Sequence, residues 1–202
     1  MAAPARLILA SASQARNRLL ANAGLDFASV EPDVDEAAIR AGLAARGVTD
    51  AHAIASRLAA AKALAVAAGN PGGLVIGADQ VLVIDGEILA KPEDCDAARA
   101  QLMRLRGRTH FLVSAVCCAA GDEIRWSAVA RARLTMREFS TEFLEHYLAA
   151  MAGRVTSTVG AYEIEGRGVQ LFSQIAGDLF TIQGLPLLDL IAYLRTAGLA
   201  RT

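Results

Sequence analysis

The chain has 202 residues, of which 54% are hydrophobic, 20% charged and 5% aromatic, and a formal net charge of −1. A chain of this length suits one domain, or two lobes sharing a core, and buries roughly 70% of its unfolded surface without a disulfide or metal staple. The apolar content excludes an intrinsically disordered chain, the near-zero charge argues against a mainly electrostatic nucleic-acid or membrane binder, and the few aromatics leave little for base stacking.

In chain order, Arg6–Ala10 reads as a short buried strand. Ser11 and Ser13 follow, then a helical pattern over Ala15–Ala23 closed by Gly24. Asp26–Val30 is a second strand, ended by Pro32. Asp33, Asp35 and Glu36 precede a helical stretch, where their ordinary role is N-terminal helix charge. Asp50–Ala68 is a long alanine-rich helix stopped by Gly69-Asn70-Pro71-Gly72-Gly73. Leu74–Ile76 is apolar, Gly77-Ala78-Asp79-Gln80 ends that run, and Val81–Ile84 resumes as strand. Asp85-Gly86 is a hairpin signal with Glu87–Leu89 as the return arm.

Lys91-Pro92 leads to a helix from about Asp94 to Leu105, stopped by Gly107. Phe111–Ala120 is a buried strand, and Gly121-Asp122 turns the chain into a long strand over Glu123–Met136, whose later residues alternate with a period of two. Thr141–Ala150 is a helix, Gly153–Gly168 a glycine-rich loop and Val169–Phe172 a short strand. Gly184-Leu185-Pro186 opens a last helix to about Thr196, with proline in the first turn. Early alternation of strands and helices, with hairpins in the middle, predicts a mixed sheet in an α/β or α+β architecture. No fixed repeat or linker divides residues 1–202, so a single domain is expected, with no lobe border drawn.

Cys95, Cys117 and Cys118 offer neither a disulfide framework nor zinc spacing. The adjacent pair lies in an apolar run and reads as small core hydrophobes, which suits a reducing cytoplasm. Met1–Ala10 holds one arginine and a four-residue apolar run, too short for a signal peptide. No stretch reaches the ~18 uncharged apolar residues of a spanning helix. Ala53–Ala68 comes closest but is interrupted by Arg57 and Lys62. A cytoplasmic protein with no membrane partner is expected.

The chain lacks a G-x-x-x-x-G-K-[ST] phosphate loop, a G-x-G-x-x-G turn after a strand, H-E-x-x-H and G-x-S-x-G. His52, His110 and His146 are too scattered for a triad or metal cage. Chemistry must therefore rest on carboxylates, lysines, arginines and backbone. Ser11-Ala12-Ser13-Gln14-Ala15-Arg16 stands at a strand-to-helix turn, where backbone N–H groups, hydroxyls and a guanidinium fork suit phosphate. Taken alone it reads first as a Ser13 helix cap with a surface arginine. Asp79 ends an apolar run, where a carboxylate can hold Mg²⁺ or take a proton from water, or serve only a turn. Gly77 permits close backbone approach beside it. Lys91 and Lys62 are solvated charges by themselves, or phosphate partners if they reach a cleft. Together, acids (Glu36, Asp79), cations (Arg16, Lys62, Lys91) and a serine-rich helix start suit metal-assisted attack on a polyphosphate.

In these segments the chain resembles the Maf family of nucleoside triphosphate pyrophosphatases. The matching stretches are Leu7-Ile8-Leu9-Ala10-Ser11-Ala12-Ser13 with Arg16; Val34-Asp35-Glu36; Arg57-Leu58-Ala59 through Lys62-Ala63; Gly77-Ala78-Asp79-Gln80-Val81 with Asp85-Gly86-Glu87; Lys91-Pro92; Leu105 to His110; Gly160-Ala161-Tyr162 with Glu165-Gly166; and Gly177-Asp178 with Gly184-Leu185-Pro186-Leu187. They occur in order from about residue 6 to 195. The resemblance implies a fold like the inosine triphosphate pyrophosphatases: a long mixed sheet, helices on its faces and two lobes around a cleft. It also implies a homodimer, a divalent cation (Mg²⁺ or Mn²⁺), and hydrolysis of a nucleoside triphosphate to the monophosphate and pyrophosphate, with no DNA or RNA partner. By the same resemblance Asp79 is the proton acceptor, Ser11, Arg16, Lys62 and Lys91 bind phosphate, and Glu36 joins Asp79 in serving the metal.

Base preference follows a few positions. Gln80 and Glu165 resemble the 7-methyl-GTP type rather than the dTTP/UTP type. A carboxylate can accept both guanine N1–H and N2–H₂, and it favours a ring made cationic by N7-methylation. Thymine and uracil would turn acceptors toward Glu165. Gln14-Ala15 departs from that type, since Ala15 offers neither a stacking ring nor a second arginine. Alternatives are a dTTP/UTP- or ITP/XTP-type pyrophosphatase, or a nucleotide-binding regulator of cell division without turnover.

Overall fold

A computed structural model describes residues 6–201. Residues 1–5 of the stretch read for a signal peptide lie outside the described residues. Polar residues at helix starts set many of the element boundaries. After β1 (Arg6–Ala10), Ser13 caps α1 (Gln14–Asn22) by accepting from the Arg16 N–H. β2 (Ala28–Val30) follows, and Asp35 caps α2 (Glu36–Ala45), accepting from Ala38 N–H at 2.9 Å. Asp50 caps α3 (Ala51–Ala68) from Ala53 N–H at 2.8 Å. Such caps satisfy N–H groups that a helix leaves without partners.

The chain continues through β3 (Gly73–Ile84), β4 (Glu87–Leu89), α4 (Cys95–Leu105), β5 (Thr109–Ala120) and β6 (Glu123–Met136). It ends with α5 (Thr141–Met151), three short 3₁₀ turns, β7 (Phe172–Ala176), α6 (Leu179–Ile182) and α7 (Leu187–Thr196). The seven strands form one mixed sheet in the order β2-β1-β3-β5-β6-β7, with β4 also paired to β3. β1 runs parallel to β2 and to β3, with Ala10 opposite Gly77, while β4 on β3 and β7 on β6 are antiparallel. The expected α/β architecture, a long mixed sheet flanked by helices, is what the chain adopts.

Three expectations change. Gly77-Ala78-Asp79-Gln80 does not interrupt the strand: β3 runs unbroken through it, so Asp79 sits in mid-strand. The glycine-rich loop contains 3₁₀ turns at Arg154–Thr156, Val159–Ala161 and Arg167–Leu171, and the last of these takes Val169, so the strand begins at Phe172. Pro186 is the cap of α7 rather than a first-turn residue, and α6 was not anticipated. As expected, α3 is interrupted by Arg57 and Lys62, although its length and mean hydropathy match those of a membrane span. Its Ile54, Ala55, Leu58, Ala59, Ala63 and Val66 are buried against the protein.

By contacts the chain divides into two units. The first comprises Met1–Gln80, Val113–Ala130 and Gln183–Thr202, and the second Val81–Leu112 and Arg131–Ile182. In the first, α3 lies directly on β3. A Cβ added at Gly77 would stand 2.7 Å from the Ala63 Cβ and nearer still to the Ala59 carbonyl oxygen. Only glycine allows that approach. Cys117 and Cys118 are buried there and behave as core residues; burial pushes the Cys117 thiol up to about 11.

The second unit has its own core, built around Leu82, Leu102, Leu134, Phe139, Leu144 and Leu171. Inside it, His110 Nε2 and the Tyr162 hydroxyl share a 2.8 Å hydrogen bond, and burial lowers the His110 pKa to about 4.

Candidate active site

The close seat of α3 on β3 brings Lys62 to Asp79. Gly77 and Asp79, two residues apart, share a face of β3, so the side chain of Asp79 leaves on the side that α3 covers. Lys62 Nζ donates to Asp79 Oδ1 at 2.6 Å and lies 2.8 Å from Glu36 Oε1. The ammonium bridges two carboxylates. Lys62 and Asp79 expose only 9% and 6% of their side chains, and Glu36 exposes 43%. Buried charges persist only when paired in this way.

The other oxygen, Asp79 Oδ2, is buried and accepts no hydrogen bond among the described residues. Arg40 Nη2 stands 3.6 Å from it, close enough for an ion pair but too long for a good hydrogen bond. The same nitrogen is 4.0 Å from Glu36 Oε2. Arg40 is the residue sequence reasoning missed. It follows Glu36 by four positions on α2, the spacing that sets two helical side chains side by side, and that spacing is the signal that could have found it.

Ser11 and Arg16 form the adjoining wall. The Ser11 hydroxyl is nearly buried, accepting from Ser13 N–H at 3.1 Å and from Arg16 Nη1 at 3.4 Å. Arg16 Nε donates to the Gly184 carbonyl at 2.8 Å, which fixes the guanidinium plane. Desolvation lowers the Arg16 pKa from its ordinary value, while the fields of Asp79 and Glu36 raise it. Arginine stays charged near neutral pH. Arg16 is therefore a positioned cation rather than a surface one, and Ser13 is also the helix cap it resembled. Ala15 lies half-buried in the first turn of α1.

The remaining predicted residues stand elsewhere. Gln80 follows Asp79 along β3 and so points to the opposite face, where its Nε2 donates to Ser114 Oγ at 2.9 Å. Lys91 and Glu165 belong to the second unit, Lys91 exposed after β4 and Glu165 exposed in the turn between two 3₁₀ segments. The first unit thus gathers Ser11, Arg16, Glu36, Lys62 and Asp79, and adds Arg40.

Two carboxylates, one with an unsatisfied buried oxygen, fit a hard divalent cation, which takes oxygen ligands. Around them Arg16, Arg40 and Lys62 supply three positive charges against two negative ones. A polyanion would be attracted to such a site, and a carboxylate oxygen without a donor can hold a proton.

Residues 6–197 match the family model described as Maf-like protein. A protein of Brucella abortus named 7-methyl-GTP pyrophosphatase is 46% identical over 190 residues, covering 94% of this chain and 95% of its own. A protein of Rhodospirillum rubrum named nucleoside triphosphate pyrophosphatase is 47% identical over 192 residues, 95% of each chain. One of the same name from Bradyrhizobium diazoefficiens is 48% identical over 193 residues, 96% of this chain and 94% of its own.

Proposed function

The chain belongs to the Maf-like protein family, and from that footing we propose that it is a nucleoside triphosphate pyrophosphatase. It splits a modified, 7-methyl-GTP-like nucleoside triphosphate into the monophosphate and pyrophosphate, and so clears the nucleotide pool. The observation that carries the reading is the Lys62 bridge between Asp79 and Glu36, with Asp79 Oδ2 left without a donor.

A triphosphate carries about four negative charges near neutral pH, and these repel an attacking water oxygen. Arg16 and Lys62 offset that charge by preorganised electrostatics, and Ser11 adds a hydroxyl donor. Water adds across the α–β anhydride bond: its oxygen joins one phosphorus, the bridging oxygen leaves with the other, and its proton goes to the Asp79 carboxylate. Lys62, holding Oδ1, keeps the carboxylate aimed. Glu36 and Asp79 would hold the divalent cation, Mg²⁺ or Mn²⁺, whose chemistry there is to draw charge from the phosphate oxygens. Lys91 is a further candidate phosphate partner. Glu165 reads the base, with Gln80 and Ala15 shaping the preference. The protein acts in the cytoplasm as a homodimer on free nucleotide, and its balance of 20 basic and 21 acidic side chains supports a small-molecule substrate over a nucleic acid.

The test is Asp79→Asn. Nucleotide binding, read by calorimetry with a non-hydrolysable analogue, should persist while turnover falls at least 10²-fold, on the order of a lost catalytic proton acceptor. Retained turnover removes Asp79 from the role.

A further inference from the structure

Arg40 makes the weakest contacts among the charged side chains that meet at Asp79. Lys62 Nζ is held at 2.6 and 2.8 Å with 9% of its side chain exposed. Arg40 stands off at 3.6 and 4.0 Å with 37% exposed. It rides on α2, a helix with no buried residue, so little packing opposes a shift of its backbone. It faces the one oxygen of Asp79 that accepts no hydrogen bond. A guanidinium is also a better partner for phosphate, which it can grip with two N–H donors, than for a carboxylate it touches only end-on at long range.

We propose that Arg40 is a displaceable counter-cation, standing beside Asp79 Oδ2 in the nucleotide-free protein and moving onto the phosphate chain when the triphosphate arrives. The inference rests on the reading of Glu36 and Asp79 as the pair that holds the divalent cation. While Arg40 is in place, a second positive charge a few ångströms away weakens any free divalent ion at those carboxylates. Once a triphosphate is present, its charge draws the guanidinium away and leaves Oδ2 open. Metal and nucleotide then bind with positive coupling, each raising the affinity of the other by the same factor. Lys62, buried and doubly paired, stays with the carboxylates throughout.

The experiment measures Mn²⁺ binding by electron paramagnetic resonance, on the full chain, with and without a non-hydrolysable triphosphate analogue. Arg40→Ala and Arg40→Lys are compared with the unaltered protein, and circular dichroism checks that each is folded. In Arg40→Ala, Mn²⁺ should bind the nucleotide-free protein on the order of 10-fold more tightly, as removal of a nearby like charge requires. The analogue should bind about 10-fold more weakly, and the coupling between the two should shrink. Arg40→Lys, which keeps the charge, should restore the weak Mn²⁺ binding. Unchanged Mn²⁺ affinity in Arg40→Ala overturns the proposal while leaving the metal site standing. Absence of Mn²⁺ binding from every protein, even with the analogue, overturns the metal site and the proposal with it.

Discussion

Lys62 Nζ donates to Asp79 Oδ1 at 2.6 Å, and neither side chain exposes a tenth of its surface. The contact exists because Gly77, two residues before Asp79, lets α3 settle onto β3. A buried charge pair is weak evidence of net stabilisation, because desolvation opposes the attraction, but removing one member is costly. Lys62→Met should lower unfolding stability by about 3 kcal/mol, since it leaves Asp79 without its nearest cation. The double variant Lys62→Met with Asp79→Asn should cost less than Lys62→Met alone. Urea unfolding of the three proteins checks both statements, and a double variant at least as unstable as the single one contradicts the reading.

Gly77→Ala tests the geometry behind that pair. The new Cβ would meet the Ala59 carbonyl oxygen and the Ala63 Cβ, neither of which can retreat without moving α3. Overpacking of this kind costs about 1–3 kcal/mol. Because α3 carries Lys62, turnover should fall further than stability alone explains. Assays well below the unfolding temperature of the variant separate the two effects.

The pH dependence of stability should carry the mark of His110. Its pKa is about 4 in the folded chain, lowered by burial, against an ordinary value of 6.5. Above pH 6.5 the imidazole is neutral in both states and its contribution is complete. As pH falls below 6.5 the unfolded chain takes up the proton and the folded one does not, so stability is lost until about pH 4. The loss is on the order of 3 kcal/mol across that window. His110→Gln should flatten this part of the profile, read as the difference between variant and unaltered protein in urea titrations from pH 7 to 4. Parallel profiles would contradict it.

Much of the fold was legible in the sequence. β1, α3 and β6 follow from an apolar run, an alanine-rich run with a glycine-rich stop, and a period of two. The sequence misled at Asp79, because Gly-Ala-Asp-Gln has the composition of a turn. Tertiary context overrode it: β1 pairs with β3 up to Gly77, and the packed α3 covers the strand there. The late strand was placed three residues early because Val169 looks like a strand residue, yet it lies in a 3₁₀ turn and Phe172 begins β7.

The site was legible in part. Glu36, Lys62 and Asp79 were read as members of one constellation, but spacing of 26 and 17 residues cannot show that they touch; only the seat of α3 on β3 does. The four-residue spacing from Glu36 places Arg40 beside it on α2 and by itself says nothing more. What distinguishes it is the Asp79 oxygen in front of it, contributed by a distant strand.

In the proposed function Glu165, exposed in its turn, reads the base. Glu165→Gln should weaken turnover of 7-methyl-GTP about 10-fold or more through KM, and improve UTP relative to it, because a neutral amide can donate to pyrimidine oxygens and gives up the charge that favours a cationic ring. A uniform loss across all nucleotides would assign Glu165 to structure rather than base reading.

Pyrophosphate release from 7-methyl-GTP, GTP, ITP, dTTP and UTP, with Mg²⁺ or Mn²⁺, should be measured on the unaltered chain beside Asp79→Asn. Release should be equimolar with the monophosphate, fastest from 7-methyl-GTP, and nearly abolished in Asp79→Asn. No release from any nucleotide with either metal would contradict the account and favour a protein that binds nucleotide without turning it over.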